Sequence, residues 1–314
     1  MVKQQKEINS KMKKGECNLC PRNCLVDRTS GKTGYCGQTD KIYVARAALH
    51  MWEESCISGK EGSGTVFFCG CPLRCIFCQN HKIALGKEAN GERIGKEISI
   101  GRLKEIFLEL QEIGANNINL VTGTHYIPQI AKALKLAKEE GMQIPVVYNT
   151  SGYEKIESLQ LLEGLVDIYL PDMKYVSQEL SKEYSNASDY FEVASKALEE
   201  MVRQVGEPVF DTRGYMKKGV IVRHLVLPGS TKDSKAVLDY LWNTYGNRIY
   251  ISIMNQYTPM EQIKNHPLLS RKVTKREYSK VVDYALSLGW ENGFIQEGET
   301  AMESFIPGFN GVGV

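Results

Sequence analysis

No cysteine occurs after Cys78, although nine lie within the first 78 residues. No apolar run approaches the roughly 18 residues that a membrane span needs. Charge of one sign is not in excess either: 39 basic residues stand against 37 acidic ones. A net charge of +2 gives no electrostatic footprint for nucleic acid or an anionic membrane. The lysine-rich stretch Met1 to Glu16 lacks the apolar segment of a secretion signal. Internal repeats and low-complexity linkers are also missing. These absences lead us to expect a soluble cytoplasmic protein with neither membrane nor nucleic acid among its partners. With 42% hydrophobic residues in 314, the chain can bury a sizeable core.

The cysteines are what the sequence has in place of these features. All nine fall between Cys17 and Cys78. An odd number, tight spacing and the missing secretion signal argue against a disulfide framework. Clustered reduced thiols more often bind metal.

From about Thr65 onward, short apolar runs alternate with amphipathic stretches. Strands are expected at Thr65–Cys69, Asn117–Thr122, Pro145–Asn149, Val166–Leu170, Val220–Leu227, Arg248–Met254 and Gly293–Gln296. Helices are expected at Ile100–Ile113, Ile127–Glu140, Lys155–Glu163, Tyr190–Val205, Lys232–Tyr245 and Lys275–Leu288. Several of them stop at glycine: Gly114, Gly141, Gly246 and Gly289. Repeated βα units imply a parallel sheet with right-handed crossovers. The fold class is therefore α/β, a partial to near-complete parallel (β/α) barrel of about six units with a small N-terminal cysteine-rich metal-binding segment. We place that segment at residues 1–60, the barrel at 61–297 and an irregular tail at 298–314. Functional residues in such a barrel sit at the C-terminal strand ends.

Directly after the first expected strand comes Gly70-Cys71-Pro72-Leu73-Arg74-Cys75-Ile76-Phe77-Cys78-Gln79-Asn80, a Cys-x3-Cys-x2-Cys spacing. Three thiolates can hold three irons of a cubane cluster, which ordinarily takes four. The remaining iron keeps an open position, where a chelating ligand can bind and receive an electron. The bland alternative is a structural zinc knuckle, but zinc usually pairs two such knuckles. Cys69 is expected to point elsewhere, into core packing.

This loop resembles that of the radical S-adenosylmethionine superfamily, with Phe77 as the aromatic residue before the last cysteine. The chain looks most like a branch related to pyruvate formate-lyase activating enzyme. The likeness runs through Cys17-Asn18-Leu19-Cys20-Pro21-Arg22-Asn23-Cys24, Ile57-Ser58-Gly59, Asn117 to Thr122, Asp167 to Tyr175 and Arg223 to Gly229. It implies a 4Fe-4S cluster on Cys71, Cys75 and Cys78. It also implies reductive cleavage of S-adenosylmethionine to a 5′-deoxyadenosyl radical that abstracts hydrogen, with electrons from a flavodoxin- or ferredoxin-type donor.

The same resemblance implies further site residues. In the activating enzymes a Gly-Gly-Glu-like segment binds the methionyl amine. Thr122-Gly123-Thr124-His125 stands there, without the second glycine or the carboxylate, so hydroxyls or carbonyls of this loop would replace them. Asn149-Thr150-Ser151-Gly152 and Asp172-Met173-Lys174 match the next two strand ends. Ser151 and Lys174 would hold the methionyl carboxylate or the ribose, and Asp172 would orient the methionyl part through a bound monovalent cation. Against this, Asp172 and Lys174 read plainly as a solvated ion pair. Phe77, Gly123, Thr124, Asn149 and Val226 complete the expected cofactor contacts, Val226 beside the adenine. His125, His224 and Gln256 are candidates for the substrate side.

Cys17, Cys20, Cys24 and Cys36 supply four thiolates, enough for a closed zinc site or a complete second iron–sulfur cluster. Zinc is slightly preferred. Three functions compete. The chain activates a partner protein by forming a glycyl radical; or it acts on a small molecule or peptide by the same chemistry; or it is a metal-binding protein without catalysis.

Overall fold

The computed structural model describes residues 16–87, 91–296 and 308–314. Its centre is a set of parallel strands, most of them buried on both faces. These are β2 (Ser63–Phe68), β4 (Ile118–Val121), β5 (Val146–Thr150), β6 (Ile168–Pro171), β8 (Met216–Leu225), β9 (Tyr250–Met254) and β10 (Gly293–Ile295). Two further strands, β1 (Ile42–His50) and β3 (Lys96–Ile98), extend the sheet antiparallel beyond β2. The order is β10-β9-β8-β6-β5-β4-β2-β1-β3, and β7 (Val209–Phe210) forms a hairpin with the start of β8. The two ends of the order do not pair, so the barrel is open.

Six helices follow the first six parallel strands and cover the outer face: α3 (Ile100–Glu112), α4 (Ile127–Glu139), α5 (Ile156–Leu159), α7 (Tyr190–Val205), α8 (Thr231–Tyr245) and α9 (Lys275–Leu288). Shorter α1 (Ser55–Ser58), α2 (His81–Leu85) and α6 (Gln178–Ser185) lie in connections. The expected periodicity is met in α4, where Ile127, Ile130, Ala131, Leu134 and Ala137 are all buried. Thr274 and Glu277 cap α9 reciprocally, and Gly289 ends it in the left-handed region.

The strand pleat divides the core into two layers. Val146, Tyr148, Tyr169, Val220 and Val222 pack outward among the helices. Val147, Ile168, Leu170 and Ile221 pack inward, with Cys56 and Ile57 of α1 plugging the interior. That inward parity is the one that reaches the site.

Three elements differ from expectation. Strand β1 lies within residues 1–60, so part of the cysteine-rich stretch is sheet. Its Ala45, Ala47 and Ala48 give little strand signal. Strand β8 begins at Met216, four residues early, because it first pairs with β7. The stretch Lys155–Glu163 is one short α-helix continued by a 3-10 turn. Of the tail, residues 298–307 lie outside the described residues; Gly311 and Val312 bond to the backbone of β1.

Glu154 ties the loops after β4 and β5 together beneath the surface. Its Oε1 accepts from the hydroxyls of Thr124 (2.6 Å), Thr150 and Tyr148 (3.3 Å). Burial raises its pKa from 4.5 to about 7 against these three bonds. Between those values the folded protein keeps a proton that the unfolded chain has released, so stability falls as pH rises. The loss attributable to Glu154 should reach roughly 3 kcal/mol by neutral pH. Urea unfolding of wild type and Glu154→Gln from pH 4.5 to 8 checks this. The wild type should lose stability relative to the variant across the window, and parallel curves would contradict it.

Candidate active site

A cavity of about 520 Å³ opens at the C-terminal ends of the parallel strands. Four strands contribute from their inward parity: Val121 from β4, Asn149 from β5, Arg223 and Leu225 from β8, Ser252 and Met254 from β9. The loops beyond add Cys71, Cys75, Phe77, Cys78, Thr122, Ser151, Asp172, Lys174 and Gln256.

The three cysteines come from one loop that the fold holds at several points. Gly70 N–H donates to the carbonyl of Ile83 (2.7 Å), and Ile76 N–H to that of Tyr184 (2.9 Å). Cys71 Sγ accepts from the backbone N–H of Leu73 (3.4 Å), and Cys75 Sγ from the Ser185 hydroxyl (3.0 Å). Phe77 is buried between Tyr184 and Tyr257. Burial pushes the Cys75 and Cys78 thiols up, so a metal would have to displace their protons. Three thiols of one loop lining a single cavity, with polar groups opposite, fit a cluster with one open iron. Cys69 is not among them. It packs with Ala45, Phe67 and Val121, and its thiol donates to the Ile94 carbonyl at 3.1 Å.

Across the cavity, Lys174 Nζ lies 2.5 Å from Asp172 Oδ2. Burial alone would lower the Lys174 pKa, but the Asp172 carboxylate and the Cys75 sulfur outweigh it and the net direction is up. Both side chains are largely shielded, at 15% and 23% exposure, so this is not a solvated surface pair. Tyr190 fixes the two loops that carry these groups, its hydroxyl 2.8 Å from the Ser151 carbonyl and 2.9 Å from that of Asp172. The chains approach so closely that a Cβ at Gly152 (φ +78°) would strike the Asp172 carbonyl.

Several expected site residues lie off the cavity. Gly123 packs against Ile130, and Thr124 is spent on Glu154. His125 Nε2 is 2.7 Å from the Cys69 carbonyl, which can only accept, so that nitrogen carries the proton. Burial and Arg28 push the pKa of His125 down to about 3, and it stays neutral. On β8 the pleat turns Arg223 and Leu225 into the cavity. His224 and Val226 therefore face the other way. His224 Nδ1 donates to the Met173 carbonyl (2.8 Å), with burial lowering its pKa to about 4. Val226 sits in the outer core. Thr122 reaches the cavity in place of Gly123 and Thr124.

Sequence reasoning missed an ion-pair network on the opposite wall. Arg223 Nε donates to Glu54 Oε1 (2.9 Å), Arg223 Nη2 to Glu54 Oε2 (2.6 Å) and also to Glu53. Asn119 donates to Glu53 at 2.8 Å. Burial opposes ionisation of Glu54, yet the Arg223 guanidinium carries its pKa below the usual carboxylate value. An arginine inside an apolar strand was the available signal; nothing in the sequence pattern pairs it with Glu53 and Glu54.

Cys17, Cys20, Cys24 and Cys36 lie outside the cavity, beside the cysteine loop. Arg22 links the two by donating to the Pro72 carbonyl at 2.7 Å. Among the described residues, no three Cys, His, Asp or Glu side chains converge as ligands of a single metal ion, here or at Cys71. No described helix is long and apolar enough to cross a membrane.

Comparison with known proteins bears on this arrangement. An uncharacterised protein of Methanocaldococcus jannaschii is 28% identical over 272 residues, covering 86% of this chain and 74% of its own. The hydrogenase maturase HydG from Carboxydothermus hydrogenoformans superposes with a TM-score of 0.52 at 14% identity, over 77% of this chain and 55% of its own. The structure of anSMEcpe with bound AdoMet gives 0.50 at 13% identity, over 72% and 61%. At such identities the two show the fold alone. The chain spans about half the length of HydG and of SuiB from Streptococcus suis, 55% and 46%. Residues 65–241, more than half the chain, match the Radical SAM superfamily and include the three-cysteine loop. The chain therefore belongs to the radical SAM superfamily, whose members carry a four-iron cluster and S-adenosylmethionine.

Proposed function

We propose that Cys71, Cys75 and Cys78 hold the four-iron cluster and that S-adenosylmethionine lies across the strand ends opposite, between the cluster loop and Lys174. One juxtaposition supports this: the three thiols and the Lys174–Asp172 pair line the same cavity. Cluster and S-adenosylmethionine together supply one-electron cleavage and a radical that abstracts hydrogen, while the protein binds, orients and excludes water.

Lys174 is a charge-assisted partner for the methionyl carboxylate, which would share it with Asp172. Asn149 and Ser151 offer hydrogen bonds to carboxylate or ribose. Ser151 Oγ is buried without a partner among the described residues, as a group awaiting a ligand would be. Thr122 supplies the acceptor for the methionyl amine that the activating enzymes take from a carboxylate. Asp172 remains the candidate for a bound monovalent cation. The substrate side is the wall of Trp52, Glu53, Glu54, Arg223 and Gln256. There two carboxylates around one guanidinium hold a shielded, charged surface in place.

The resemblance to activating enzymes supports a glycyl-radical activase, fed by a ferredoxin- or flavodoxin-type donor. The second reading is modification of a small molecule or peptide. It is favoured by the amine-binding loop, which has lost the carboxylate of the activating enzymes and turned Gly123, Thr124 and His125 away from the cavity.

Anaerobically reconstituted protein with dithionite should convert S-adenosylmethionine to 5′-deoxyadenosine and methionine. Cys75→Ala should reduce this to background. Lys174→Ala should need at least about tenfold more S-adenosylmethionine, the loss of one charge-assisted bond. Equal product from wild type and Cys75→Ala would refute the assignment.

A further inference from the structure

The four N-terminal cysteines share their surroundings with the cysteines of the catalytic loop rather than with a core thiol. In the catalytic loop, backbone N–H groups two residues onward point at the sulfurs: Leu73 at Cys71 and Asn80 at Cys78. The N-terminal segment repeats the device, with Arg22 N–H at Cys20 and Gln38 N–H at Cys36. Cys24 Sγ accepts from Tyr35 N–H at 3.2 Å, and the Arg28 guanidinium lies 3.9 Å from Cys17 Sγ. All four sulfurs thus accept from N–H groups, whereas the core thiol Cys69 donates to a carbonyl. Accepting is what a deprotonated, metal-bound sulfur does.

The four also form one group. Cys20 lies within electrostatic reach of Cys36 and Cys17, and Cys36 of Cys17 and Cys24; burial pushes both thiols up, so a metal would displace their protons. A short hairpin, Cys17 N–H to Val26 carbonyl and Leu25 N–H to Cys17 carbonyl, brings the first three together. It holds Leu25 at φ +52° with its side chain 56% exposed, so apolar packing does not pay for the turn. A metal bound by the enclosed cysteines would.

The group is fastened to the back of the catalytic loop. A Cβ on Gly70 would come within 2.9 Å of the Cys36 carbonyl. Arg22 donates to Pro72, and both Arg22 and Arg74 lie over the Tyr35 ring, at 4.0 and 5.4 Å. Cys36 is therefore one residue's contact from Cys71. Zinc at this place could only shape the fold, whereas an iron–sulfur cluster set against the catalytic loop could relay an electron to it.

We infer that Cys17, Cys20, Cys24 and Cys36 hold a second iron–sulfur cluster, set against the Cys71 loop where electrons enter the protein. It takes one electron from a ferredoxin- or flavodoxin-type donor and passes one on, with no bond or proton exchanged. The site stands independently of the radical chemistry, and only its role rests on that reading.

The test uses full-length protein carrying Cys71→Ala, Cys75→Ala and Cys78→Ala, isolated anaerobically from cells supplied with iron and zinc. It should contain iron and sulfide in equal amounts and give a paramagnetic signal on reduction. Adding Cys20→Ala and Cys36→Ala should abolish both. Should the triple variant fail to fold, Cys20→Ala with Cys36→Ala in the otherwise unaltered chain should lose part of the iron and keep the rest. Zinc in place of iron, no metal at all, or iron unaffected by the Cys20 and Cys36 changes would each overturn the inference. Failure of wild type to form 5′-deoxyadenosine would count against the radical reading and leave these metal results standing.

Discussion

Alternate side chains of a strand face opposite ways, and the site depends on one parity continuing past the last ladder hydrogen bond. Val147 inside the barrel leads to Asn149 and Ser151 at the cavity. Ile168 and Leu170 lead in the same way to Asp172 and Lys174, and Ile221 to Arg223 and Leu225. The interior core and the polar rim are one column of residues on each strand. Register errors would therefore exchange the whole rim for residues such as His224 and Met173, which are built for the outer core. Tyr190, the tight passage at Gly152 and the buried Glu154 hold neighbouring columns at their relative heights.

The charge in the cavity is arranged in two opposed groups. On one wall Lys174 and Asp172 stand within electrostatic reach of Cys75. On another, Glu53 and Glu54 surround Arg223. Neither group gains much stability from its ion pairs, since desolvation consumes most of the attraction. Their place at a cavity in an otherwise apolar sheet is better accounted for by binding. The buried histidines, in contrast, are neutral and hydrogen-bonded to carbonyls, which removes them as proton donors near neutral pH.

Much of this was legible in the sequence because it depends on short-range pattern. The parallel strands and covering helices followed from apolar runs, period and terminal glycines, and the cysteine loop from spacing alone. What escaped depends on long-range pairing. Strand β1 is alanine-rich and takes its conformation from β2. Arg223 was visible, but its partners lie about 170 residues earlier in a connection with no pattern. The orientation of His224 could have been counted from the buried Ile221. Reading its neighbourhood as a run of similar residues, without the pleat, put Val226 and His224 on the wrong face. Thr122 escaped for a related reason: the loop after β4 meets the cavity one residue earlier than the resemblance suggests.

The central claim is that the three-cysteine loop carries a cluster whose open iron faces bound S-adenosylmethionine. Paramagnetic resonance of the reduced protein, recorded with and without S-adenosylmethionine, tests it most directly. To isolate the signal, the measurement is made on the variant with Cys20→Ala and Cys36→Ala. The account predicts a cluster signal that changes when S-adenosylmethionine is added. A cluster spectrum identical with and without it would contradict the account.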